Sequence, residues 1–155
     1  MDSFSKMDHR GNRFKGVTLL ELMIVVAIIS VLLSLGFISL KRLKANYDLT
    51  EATNKLYSDI EWIRQRSMGS AYPYGISFSN NSYTVFLDIN DNRKYEAGTD
   101  THLKTQSLHN ITLSGYPNSY TCTRRGTPNQ QFTITLKNNG NTKHISVSMF
   151  KTRIK

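Results

Sequence analysis

The sequence predicts an α+β fold: one long N-terminal helix, its first half transmembrane, packed through its second half on a twisted antiparallel β-sheet. Three observations predict it. From Val17 to Leu40 the chain is almost wholly apolar, with Glu21 its only charge. Beyond that run, Ala45, Leu49, Ala52, Leu56, Ile60 and Ile63 recur at helical spacing, and no proline interrupts the chain between Gly16 and Pro73. After Tyr74 the pattern changes to short alternating segments separated by Asn, Gly and Pro, which read as strands and turns.

The elements follow in order. Residues 1–15 are polar and carry Lys6, Arg10, Arg13 and Lys15, a leader rather than part of the fold. A helix over Val17–Leu40 is roughly 36 Å long, enough to cross a ~30 Å hydrocarbon layer. A plain anchor or an uncleaved signal sequence accounts for the length but not for Glu21. A charge at mid-bilayer costs on the order of 2.5–3.5 kcal/mol, and less near the interface. With no basic residue inside its own segment, the carboxylate calls for a partner elsewhere, such as the α-amine of a neighbouring subunit. The charges do not orient the span: four basic residues precede it, and Lys41, Arg42, Lys44 and Lys55 follow it.

The order of basic leader, Gly16, Val17, Thr18, two leucines, Glu21 and apolar run resembles the class III signal of prepilins and pseudopilins. Val17 stands where that family usually has Phe or Met. The resemblance implies that prepilin peptidase cuts between Gly16 and Val17 and methylates the new N-terminus at Val17. It implies that Glu21 acts in assembly, pairing with the amine of the next subunit, and that other pilins or pseudopilins are partners through the N-terminal helix. It implies a bacterial inner-membrane protein, single-pass, with a periplasmic C-terminal domain, that moves into a pilus or pseudopilus. The corresponding division is a leader peptide over 1–16, a transmembrane or filament-core helix over 17–40, and a globular domain over 41–155.

One helix is predicted from about Thr18 to Met68, apolar all round at first and amphipathic later. Gly36, between Ser34 and Ser39, is its soft point. Glu51 and Lys55 form an i,i+4 pair worth a few tenths of a kcal/mol. The segment Gly69-Ser-Ala-Tyr-Pro73 ends the helix. Strands are predicted over Gly75–Phe78 and Tyr83–Leu87, then Asn110–Gly115 and Ser119–Cys122. A final hairpin runs over Gln131–Lys137 and Thr142–Met149 about Asn138-Asn-Gly-Asn141, with Phe132, Ile134, Leu136, Ile145, Val147 and Met149 facing inward. The sheet has one available partner, the helix face from Leu49 to Ile63.

The chain has 20 Lys and Arg against 11 Asp and Glu, and the excess is uneven. Residues 101–155 contain eight basic residues and no acid. That half reads either as a binding face for a polyanion or as a solvated sheet surface that uses Lys to protect its edges. Cys122 is the only cysteine, so no internal disulfide forms, and it reads as a small buried strand residue. His9, His102, His109 and His144 do not have the spacing of a metal site. Asp88-Ile-Asn-Asp-Asn92 with Glu96 has calcium-like oxygens, but Arg93 and Thr99 stand where a calcium loop needs Gly and Glu. It reads as a turn whose Asp and Asn side chains bond their own backbone. No catalytic set and no cofactor motif is present, so no enzyme is predicted. The alternative is a membrane-tethered enzyme or adaptor with no filament role.

Tyr83–Asn92 with Glu96-Ala-Gly98, and Thr123-Arg-Arg-Gly126 with the final hairpin and Ser148–Lys155, resemble the GspH/FimT family of pseudopilins and minor type IV pilins. Major pilins of that class commonly close a C-terminal loop with a disulfide, which a single cysteine cannot do. In FimT-type pilins the C-terminal tail is associated with DNA binding, and here Lys151, Arg153 and Lys155 occupy that region. Strict alternation from Ile145, Val147 and Met149 would send these three cations into the core, so the chain must leave the sheet, bulge or end there. Lys143, Arg124 and Arg125 extend the candidate patch. The resemblance therefore points to two machines, a type II secretion pseudopilus or a type IV pilus with DNA uptake.

Overall fold

The structure is a computed structural model; it describes residues 16–155, apart from the side chains of residues 35–39. The basic leader and the Gly36 soft point lie outside the described residues. One helix, α1 (Leu19–Ser67), is followed by eight strands. They are β1 (Tyr74–Ser79), β2 (Ser82–Leu87), β3 (Thr101–Ser107), β4 (Thr112–Ser114), β5 (Ser119–Cys122), β6 (Phe132–Asn138), β7 (Asn141–Val147) and β8 (Thr152–Ile154). The chain divides into two units at Leu40 and Lys41.

In the first unit the apolar side chains are exposed on every side of the helix, from Leu19 (79%) to Leu33 (66%). This unit has no core of its own. Among the described residues no helix is long and apolar enough to cross a membrane, and the apolar run continues through the undescribed side chains at 35–39.

The second unit has a complete core. The predicted stripe is buried as expected: Leu49, Leu56, Ile60 and Ile63 are fully inaccessible, and Ala45 and Ala52 nearly so. Each such aliphatic side chain contributes about 1.5–3 kcal/mol on burial. Where one sheet is expected, there are two antiparallel sheets of four strands, ordered β3-β2-β1-β5 and β4-β6-β7-β8. Their inner faces join the helix stripe in one cluster that includes Ile76, Val85, Tyr120, Ile134, Leu136 and Ile145. Phe132 closes the seam between them, its ring 6.1 Å from Phe78 and 5.3 Å from Tyr120. The tip of the β1–β2 hairpin ties the sheets together as well. The carbonyls of Asn80 and Asn81 accept from the N–H groups of Leu113 and Leu108, at 2.7 and 2.8 Å.

The β6–β7 hairpin turns at Asn139 and Gly140, both at positive φ (44° and 88°), the conformation that a tight two-residue hairpin demands. Two strands escape the pattern that predicted the others. Strand β3 is polar and exposed along nearly its whole length, because it is a sheet edge with one face to solvent. Its pairing with β2 contains a bulge: Val85 opposes Lys104 and Phe86 opposes His102, leaving Leu103 unpaired. Strand β8 is the chain end folded back on β7. Met149, predicted inward, is 45% exposed, since β7 stops at Val147 and the chain turns over Ser148–Lys151.

Four polar contacts lock α1 to the sheets and their turns. The Tyr83 hydroxyl donates to Asp59 Oδ2 at 2.7 Å, and Lys104 Nζ lies 2.5 Å from Asp59 Oδ1. Arg64 Nη2 donates to the Ser148 carbonyl at 3.0 Å. Asn138 Nδ2 donates to the Ala45 carbonyl at 3.1 Å. Burial and the Asp59 carboxylate together push the Tyr83 hydroxyl far above its ordinary range, so it stays protonated and donates to that carboxylate. Asp59→Ala strands that hydroxyl in the core and is expected to destabilise the domain by about 1–3 kcal/mol in thermal unfolding, against about 0.5 kcal/mol or less for Glu51→Ala on the exposed helix face.

Candidate functional site

Two regions carry the predicted site residues: the start of α1 and the acid-free half of the chain.

At the helix start, Thr18 is the N-cap. Its carbonyl accepts the first helical bond from Leu22 N–H, and its Oγ1 accepts from Glu21 N–H, both at 3.2 Å. Thr18-Leu-Leu-Glu21 thus has the Thr-x-x-Glu spacing of a capping box, a signal legible in the sequence but missed in reading it. Glu21 occupies the first turn, where the helix dipole favours an acid. Its carboxylate therefore has a local use besides any partner. Among the described residues no ion pair involves it. Gly16 precedes the cap. A Cβ there would meet nothing within 4 Å, and its φ lies outside the left-handed region, so the fold itself makes no demand for glycine at this position. Val17 beside it is 70% exposed.

In the acid-free half, the six predicted cations do not form one patch. Ser148 reverses the chain, its Oγ donating to the Lys151 carbonyl at 2.6 Å while its N–H bonds the same oxygen at 3.0 Å. The reversal shifts the alternation by one residue. Thr152, opposite Val147, is buried, whereas Arg153, opposite Ser146, faces solvent. Lys155 exchanges backbone bonds with His144 at 3.0 and 2.8 Å and lies exposed on the same outer face as Arg153. This is how the sheet keeps all three terminal cations out of the core. Lys143 is separated from them: it pairs with Leu136 on the core-facing side of β7 and is half-buried. Arg124 and Arg125 lie elsewhere, on the turn after β5. They line a cleft of about 430 Å³ together with Arg93, Asp91 and Pro73. Arg93, which the sequence reading did not single out for this face, arrives there through the β2–β3 loop, and nothing local announces that placement.

The Asp88 loop is held by its own backbone. Asp88 Oδ1 and Oδ2 accept from the N–H groups of Asn92 and Arg93 at 3.2 and 2.8 Å, and Asp100 accepts from Ile89 and Glu96 at 3.0 and 2.8 Å. Burial pushes the Asp88 carboxyl up, against the pull of those two N–H groups. Among the described residues no three His, Cys, Asp or Glu side chains gather as a metal set. Cys122 is fully buried in β5, with its Sγ 2.9 Å from the Tyr120 hydroxyl. Burial pushes its thiol up, with Tyr120 and Arg64 pulling the other way, so the cysteine is structural and unreactive.

The family model for the type II transport protein GspH matches residues 52–150, more than half of the chain. The chain belongs to the GspH family. The prokaryotic N-terminal methylation motif matches residues 11–37, covering Gly16, Val17 and Glu21. The chain is also similar in fold to the crystal structure of the type IV minor pilin FimU of Pseudomonas aeruginosa (strain PAO1). That similarity has a TM-score of 0.56 at 13% identity and covers 71% of this chain and 90% of that one. No curated protein matches this chain. This is a pilin-type chain with a prepilin methylation signal, from a family that is structural rather than enzymatic. The signal implies processing by prepilin peptidase, a membrane-anchored subunit and association with other pilins. The GspH match ends at Phe150, so Lys151, Arg153 and Lys155 lie beyond it.

The cap is open to test in the full chain in detergent. Thr18→Ala is expected to lose about 1 kcal/mol of local helix stability, read as roughly fivefold faster hydrogen exchange at the Glu21 amide, with Thr18→Ser near wild type. Unchanged exchange in Thr18→Ala would remove Thr18 from that role.

Proposed function

We propose that this chain is a non-enzymatic minor pilin or pseudopilin, stored in the bacterial inner membrane by its helix over 17–40 with residues 41–155 in the periplasm. Prepilin peptidase cuts it between Gly16 and Val17 and methylates Val17. The product joins a type II secretion pseudopilus or a type IV pilus. The observation that carries this reading is an N-methylation motif on a helix whose apolar side chains are exposed all round, ahead of a GspH-matching domain with a complete core. Such a helix must be covered first by lipid and then by like helices. Gly16 supports the processing role, because its own fold has no need of glycine and an enzyme reading the segment does. Glu21 sits in the first turn of its own helix, where the dipole favours an acid. Once assembled, it pairs with the methylated amine of the adjacent subunit and sets the register, as a partly desolvated charge pair can.

Processing and assembly separate in two variants. Gly16→Phe is expected to leave the full-length precursor uncut on a gel, and normal processing of that variant would refute the class III reading. Glu21→Ala is expected to insert in the membrane and be cut, yet to be missing from sheared filaments. Incorporation at the wild-type level would exclude the pairing role.

A second reading, contact with DNA, is favoured by one observation: Arg153 and Lys155 share an outer sheet face with Lys137 and His144 in a half of the chain that has no acid. Lys151 stands beside them, while Lys143, Arg124 and Arg125 contribute only from other faces. Three phosphate contacts predict a slope of log K on log salt of about −2 to −2.7. Titration of the full chain in detergent with duplex DNA at 50 and 200 mM salt is expected to show a roughly 20–40-fold loss of affinity. The Lys151→Ala/Arg153→Ala/Lys155→Ala variant is expected to lose most of the binding. Full binding by that variant would reject the tail as the contact.

A further inference from the structure

We propose that the cleft between the β2–β3 loop and the turn after β5 binds a phosphate group carried as a monoester. The cleft measures about 430 Å³, and Arg93, Arg124 and Arg125 line it with Asp91 as the single acid. Among the described residues none of the three arginines forms an ion pair, with Asp91 or with any other carboxylate. All three are exposed, so their forked N–H donors are free to take a ligand. Thr123 and Thr127 line the cleft as well. Their hydroxyls share one hydrogen bond at 2.5 Å, which leaves the second hydroxyl proton for an acceptor.

Both walls are fixed before any ligand arrives. Arg93 stands at φ 65°, a left-handed conformation that few residues other than Gly, Asn and Asp adopt. Asp88 Oδ2 holds it there by accepting from its N–H at 2.8 Å, and the Asp88 N–H donates in turn to the Pro73 carbonyl at 2.9 Å. On the other wall, the N–H groups of Thr123 and Gly126 donate to the carbonyls of Thr127 and Thr123, each at 2.8 Å. Gly126 packs that turn on the end of α1, where a Cβ would lie 2.4 Å from Met68 Cε. Three guanidiniums held around one cleft repel one another, and an anion removes that repulsion.

The charge balance selects the anion. Three guanidiniums against one carboxylate leave two positive charges in excess. A phosphomonoester carries about −1.5 to −2 at pH 7, whereas a carboxylate or a phosphodiester brings a single negative charge. Its terminal oxygens also suit guanidinium forks, which bind phosphate through paired N–H···O bonds. No aromatic side chain lines the cleft, so a base finds no stacking surface and the charged group itself supplies the affinity. The site is separate from Arg153 and Lys155 on the outer face of the second sheet, and it needs no filament partner.

The test titrates the full chain, in non-ionic detergent at constant ionic strength, with methyl phosphate replacing chloride. Binding is read from the backbone amide resonances of Arg93 and Arg124–Gly126, and a saturable shift at both walls is expected. Arg93→Gln, Arg124→Gln and Arg125→Gln are each expected to weaken it roughly tenfold or more, and Arg124→Lys by less. Lys94→Gln next to the cleft, and Lys151→Ala/Arg153→Ala/Lys155→Ala on the tail, are expected to bind like the wild type. Each arginine replaced is exposed and without an ion-pair partner, and the unfolding midpoint without ligand checks that the fold survives. A duplex with 5′-terminal phosphates is then compared with its unphosphorylated twin. Tighter binding of the phosphorylated duplex, erased in Arg124→Gln, supports the site with a strand end as the source of the group. Equal binding of the twins, with methyl phosphate still bound, supports it with a free phosphate ester as the source. No saturable shift with methyl phosphate, an equal affinity for acetate, full binding by all three arginine variants, or loss of binding in the tail variant would each overturn the proposal.

Discussion

The second half of α1 has one apolar stripe, and two sheets must share it. Leu49, Leu56, Ile60 and Ile63 form the strip on which both inner faces close, and among the described residues neither sheet has another helix to cover it. A single four-stranded sheet would cover only one side of that strip. The chain solves this by folding β4 and β6–β8 as a second sheet, with Phe132 and Tyr120 filling the seam between the two. The fold of residues 41–155 depends on this one shared surface.

Polar residues on the margins of the stripe decide how the sheets are seated. Asp59 holds β2 through Tyr83 and β3 through Lys104, and Arg64 holds the turn after β7. Asn138 ties the opposite end of the second sheet to Ala45. Buried polar pairs of this kind add less net stability than the same area of hydrocarbon, but breaking one leaves a stranded charge or hydroxyl. They favour one register over the alternatives that an apolar stripe alone would tolerate. The first unit follows a different logic. Its helix caps itself at Thr18 and offers apolar surface in every direction, so its burial must come from outside the chain.

Where periodicity is strong, the fold was legible in the sequence. The helix stripe from Ala45 to Ile63, the β1–β2 pair and the Asn139-Gly140 hairpin all stand where the pattern put them. Strand β3 escaped because an edge strand whose one large apolar residue is Leu103 has no period to read. Strand β8 escaped because its existence depends on the turn at Ser148, and three residues carry too little pattern to announce a strand. For the sites, the motif around Gly16, Val17 and Glu21 was legible because it is contiguous. The basic patch was not, because its members come from four separate segments.

By itself the sequence determined the long helix, its change from all-round apolar to amphipathic, the N-methylation motif and the excess of base over acid after Thr101. Each of these is a local or periodic property, carried by residues within a few turns of one another. The tertiary structure alone decided that there are two sheets and that Arg153 and Lys155 face solvent while Lys143 does not. Those facts depend on the phase and pairing of strands. A one-residue shift at Ser148 or at Leu103 reverses which side chains meet the core, and only the partner strand reveals that such a shift has occurred.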